Sequence, residues 1–118
     1  MVNLLVDEAF AFDYICILKL KADKGYMNRA DIQKNFDHLK EQVGEELFET
    51  ILKSDQFKHL YEANSVTFDA VDAAKEDKLL ASEVDKTNYY RMLAKTELQE
   101  RFFDTKLQEV KIGYERLK

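Results

Sequence analysis

A chain of 118 residues, 46% apolar and 35% charged, has the length of one ordinary domain and enough apolar residues for a single core. Eight Phe and six Tyr exclude a disordered chain, because disordered segments lack such residues. The net charge of −5 argues against nucleic acid and against an anionic membrane as partners, since both call for a basic face.

Proline is absent, and glycine occurs only at Gly25, Gly44 and Gly113. A sheet protein of this size needs more turn residues than that. The chain therefore reads as all-α: one domain over 1–118, a compact bundle of five or six helices around an apolar N-terminal helix. Cys16 is the sole cysteine, so no internal disulfide is expected. The first residues lack the basic start of a signal peptide, and Asp7, Glu8 and Asp13 interrupt the apolar stretch that follows. Neither a secretory segment nor a membrane span is expected there, and the protein is expected to be cytoplasmic.

The first helix is expected over about 4–21. Its apolar residues point in every direction on a helical wheel, as in a central helix wrapped by others. A strand is the rival reading, because Tyr14, Ile15, Cys16, Ile17 and Leu18 form a short run rich in β-formers. Gly25 is placed to stop the helix. In the second helix Ile32, Phe36, Leu39 and Val43 form one narrow stripe, with Asn28 as N-cap, Asp31 in the first turn and Gly44 at the end.

The third region changes phase. Leu47, Phe48, Ile51 and Leu52 make one stripe, while Phe57, Leu60 and Tyr61 make another on nearly the opposite side. Ser54 lies between them as a cap, predicting short helices over about 45–53 and 55–63. Asn64 and Ser65 read as a loop, followed by a weaker helix from about Thr67 with Phe68, Val71 and Ala74 inward. Ser82 opens the longest helix, over about 83–103. After it, Thr105 and Gln108 fit a capping box for a last short helix. An extended tail is the alternative, since Val110, Ile112 and Tyr114 alternate and Gly113 weakens a helix by roughly 1 kcal/mol.

Motifs for chemistry are missing. One Cys and two His do not make a structural zinc site, and neither His38 nor His59 has the Glu three residues before it that a di-iron bundle uses. Both histidines point away from the apolar stripes of their helices. No glycine loop for phosphate and no EF-hand loop is present, so no cofactor is expected. Glu97, Glu100 and Asp104 read as a solvated face, and Cys16 as a small buried hydrophobe.

Asp13 stands out, because it shares its face with Val6, Ala9, Phe10, Ile17 and Leu20. A carboxylate there must be paired, protonated or in contact with a ligand. Internal pairing with Arg91, Arg29, Arg101 or a Tyr hydroxyl is one reading; a ligand site walled by Tyr89, Tyr90 and Arg91 is the other. The long helix is the second notable feature. Met92, Leu98, Phe102 and Phe103, with Tyr114 beyond, offer more apolar surface than one core-facing stripe needs. These residues are the candidate interface. The expected function is a small protein-interaction or accessory module that binds a protein partner or pairs as a homodimer. The alternative is a small helical enzyme or ligand-binding protein with a pocket at Asp13.

Overall fold

The computed structural model describes residues 2, 4–75 and 81–103. Among these the chain folds into five α-helices: α1 (Glu8–Asp23), α2 (Arg29–Val43), α3 (Glu45–Leu52), α4 (Asp55–Lys75) and α5 (Ala81–Phe102). The all-α class and the bundle architecture are those read from the composition. No helix among the described residues is long and apolar enough to cross a membrane.

Each turn has a local cause. Gly25 takes a left-handed φ of +82°; its N–H donates to the Ala22 carbonyl at 3.0 Å, and the Tyr26 N–H donates to the Lys21 carbonyl at 2.8 Å. This pair of bonds is a Schellman closure of α1. Asn28 caps α2, its side-chain oxygen accepting from the Ala30 N–H at 2.9 Å. Gly44, at φ +96° and ψ 140°, ends α2 and opens α3 in a conformation suited to glycine. Ser54 divides α3 from α4: its hydroxyl accepts from the Phe57 N–H at 3.1 Å and donates to the Ile51 carbonyl at 2.6 Å.

Two boundaries differ from the sequence expectation. α1 begins at Glu8 rather than near residue 4, and Leu4 and Leu5 are exposed. The loop expected at Asn64 and Ser65 does not exist; α4 runs unbroken through it. The polar side chains of Asn64 and Thr67 are buried in this helix instead. Their hydrogen bonds are met locally, from Asn64 to the Leu60 carbonyl at 3.1 Å and from Thr67 to the Ala63 carbonyl at 2.8 Å. The last segment, with its choice between helix and tail and its residues Tyr114 and Gly113, lies outside the described residues.

α1 packs against α2, α4 and α5. Phe12 is fully buried, with the rings of Phe48, Phe57 and Phe103 at 5.9, 6.5 and 6.3 Å. Around them Ile15, Cys16, Ile51, Leu60 and Leu98 complete the main core. A smaller cluster of Leu18, Ala22 and Ile32 joins α1 to α2. α1 is not enclosed on every side, since Phe10 and Tyr14 stand about half exposed.

Candidate functional site

The structure holds a polar cluster at Asp13 and a groove between α4 and α5.

Asp13 is 3% exposed. Arg91 reaches it from α5, with Nη2 donating to Oδ2 at 2.6 Å and Nε donating to Oδ1 at 3.3 Å. Asn64 reaches it from α4, its amide donating to Oδ1 at 2.8 Å. The carboxylate therefore ties three helices together, and both of its oxygens are occupied by protein donors. Cys16 sits one turn further along α1, with its Sγ 3.7 Å from the Asn64 amide. Burial, reinforced by the nearby Asp13 charge, pushes the Cys16 thiol up to about 12, so it stays protonated.

One turn earlier along α1, a second buried polar contact repeats the pattern. Asp7, the N-cap of α1, makes no side-chain capping bond. The Ala9 N–H is met from α5, where Gln99 Oε1 accepts from it at 2.8 Å. A residue 90 positions away in sequence thus satisfies a helix-terminal donor that is buried.

The groove lies where α4 and α5 run antiparallel. α4 contributes His59, Glu62, Ala63 and Val66. α5 contributes Thr87, Tyr90, Leu93, Ala94 and Glu97. The space is about 400 Å³ and open to solvent. Its apolar walls remain wet, with Tyr90 at 62%, Val66 at 56% and Leu93 at 42% exposure. At one end His59 Nδ1 lies 3.6 Å from a Glu97 carboxylate oxygen.

The candidate residues named from sequence separate into different places. Asp13 and Arg91 meet, as an internal pair. Tyr90 faces the groove, with the Tyr89 ring beside it at 6.1 Å. Asp13, Tyr89 and Arg91 are not among the groove's lining residues. Leu98 is fully buried in the chain's own core, and Phe102 and Phe103 pack against that core. Met92 is half-buried, and Tyr114 is outside the described residues. Leu93 belongs to the surplus apolar side chains of the long helix legible in the sequence, whereas Val66 is not singled out there; its position seven residues after His59, two helical turns on, is the available signal.

A further polar cluster surrounds Asp23 at the surface. Asp23 accepts from the Tyr61 hydroxyl at 2.7 Å, from Lys19 at 3.0 Å and from Arg29 at 2.6 Å. These bonds, the Tyr61 one foremost, hold the Asp23 carboxyl well below the usual carboxylate range. The same bond pushes the Tyr61 phenol up to about 12. This cluster joins the end of α1 to α4 and to the start of α2.

Among the described residues no group of three or more His, Cys, Asp or Glu side chains is placed to hold a metal ion. Comparison with known proteins finds no matching family model, no matching curated relative and no matching solved structure.

Proposed function

We propose that the chain is a small helical interaction module that docks another polypeptide, a protein partner or a second copy of itself, in the α4–α5 groove. The observation that carries this reading is the exposure of Val66, Tyr90 and Leu93 side by side on two rigid helices. The helical backbone that carries them is already ordered before binding, and aromatic residues of this kind dominate interface energies. A cytoplasmic setting suits the module, where a single buried thiol such as Cys16 stays reduced. A ligand pocket at Asp13 has no comparable support, because both carboxylate oxygens already accept from Arg91 and Asn64.

The test is amide-resolved NMR combined with light scattering. Self-association through the groove raises the mass above 13.9 kDa at micromolar concentration and broadens the Val66, Tyr90 and Leu93 amides. Leu93→Ser abolishes both effects. Docking of a different chain leaves the protein monomeric and moves the same amides when an apolar helical peptide is added. A monomer whose groove amides respond to no peptide refutes the reading.

A further inference from the structure

We infer that the occupant of the α4–α5 groove is a basic amphipathic helix, about three turns long, supplied by another protein; this rests on the docking reading above. Shape sets the first part. The α4 wall runs from His59 to Val66 and the α5 wall from Thr87 to Glu97, which at 1.5 Å per residue is about 10 and 15 Å. Two antiparallel helices present their side chains as parallel ridges, and the furrow between them takes a third helix by ridge-into-groove packing. Ala63 and Ala94, the least exposed of the apolar residues lining the groove, have small side chains that let an incoming backbone approach closely. The taller Val66, Tyr90 and Leu93 stand as walls for the apolar stripe of the guest helix.

Charge sets the second part. Among the described residues the acidic and basic side chains lining the groove are Glu62, Glu97 and His59, with no Lys or Arg. Glu97 is about half exposed at its side chain, and its contact is to His59, which bears charge only when protonated. An incoming helix with Lys or Arg beside its apolar stripe meets two carboxylates at the rim; an acidic helix meets repulsion from both. A second copy of this chain is disfavoured by the same rule. Its net charge is −5, and a groove paired with its own copy brings Glu62 and Glu97 but no lining Lys or Arg to the shared rim.

The experiment uses three synthetic helical peptides of about fifteen residues with one Leu stripe and flanks of Lys, Gln or Glu. Each is titrated into isotope-labelled protein and followed by amide shifts. The Lys peptide is expected to move the Ala63, Val66, Tyr90, Leu93 and Ala94 amides and to bind at least about tenfold more tightly than the Glu peptide. Joint substitution Glu62→Gln and Glu97→Gln is expected to weaken the Lys peptide about fivefold, two rim pairs' worth, and to leave the Gln peptide unchanged. Both positions are on the surface, and an unchanged melting temperature verifies that the doubly substituted protein is folded. Equal binding of Lys and Glu peptides at the groove overturns the charge assignment while groove docking stands. Shifts confined to other surfaces overturn both. Concentration-dependent pairing of the protein through the groove, with no peptide added, replaces the basic helix by a second copy.

Discussion

Replacing Asp13 by Ala removes the acceptor shared by Arg91 and Asn64, and the loss is calculable from their surroundings. Stranding one member of a buried ion pair costs about 3–5 kcal/mol when the remaining charge has no access to water. The Arg91 side chain keeps 28% exposure, so water hydrates part of its guanidinium after the change. The Asn64 amide keeps its bond to the Leu60 carbonyl at 3.1 Å. The expected loss is therefore below that range, about 2–3 kcal/mol. For a chain of this size it lowers the melting temperature by roughly 8–12 °C. Arg91→Met is expected to cost more, about 3–5 kcal/mol, because it leaves a charge at a residue that is only 3% exposed. The double variant should cost less than the sum of the two, since neither charge is then stranded. Urea unfolding followed by circular dichroism measures all three. A loss below about 0.5 kcal/mol for Asp13→Ala, or strict additivity in the cycle, refutes the pairing as the reason Asp13 is tolerated in the core.

Two further outcomes follow from the polar groups. Cys16 is fully buried, with its thiol pushed up to about 12, so a thiol reagent at pH 8 should label the native protein only at the rate of opening and label the urea-unfolded chain at once; rapid labelling without denaturant contradicts this. The depressed Asp23 carboxyl contributes stability above its unfolded value near pH 4, and loses it as the pH falls through its folded value. Asp23→Asn should therefore destabilise by about 0.5–1 kcal/mol at pH 7, and the difference should shrink progressively as the pH falls below about 4, in paired unfolding curves. A pH-independent difference would contradict the assignment. The raised Tyr61 phenol has the opposite sign: the stability it contributes is complete below pH 10 and lost between about pH 10 and 12.

The helical class was legible because breakers are scarce and the α2 stripe is narrow, and the α3–α4 break was legible because the stripe changes phase at Ser54. Asn64 and Ser65 were misread as a loop for the reverse reason. Phe57, Leu60, Asn64, Thr67 and Val71 recur at spacings of three and four, one face of a continuous helix. The polarity of Asn64 and its neighbour Ser65 suggested a loop, whereas the partners of Asn64, Asp13 and the Leu60 carbonyl, make it acceptable inside. Asp13 was legible as an anomaly on an apolar face, with Arg91 among its expected partners. Gln99 gave no signal, because its acceptor role depends on the buried Ala9 N–H of a helix far away in sequence. The division of α5 residues between core and surface was also hidden, since a helix apolar on several faces does not declare which of them its neighbours cover.

The polar contacts of α5 explain why its surface residues end where they do. Arg91 and Gln99 are eight positions apart, about two helical turns, so they lie near one face and fix it to α1 at Asp13 and Ala9. Lys95, midway between them, has its ammonium 5.6 Å from the Phe10 ring and extends the same seam. With that seam fixed, Ala94 and Leu98 are turned into the core. Tyr90 and Leu93 are left beside α4 at the outer edge. A one-residue slip of α5 along α1 would break both buried polar bonds at once, whereas an apolar seam could slide with smaller loss. The buried polar residues thus set the register of α5, and that register is what holds Tyr90 and Leu93 at the groove, opposite Val66, instead of in the interior.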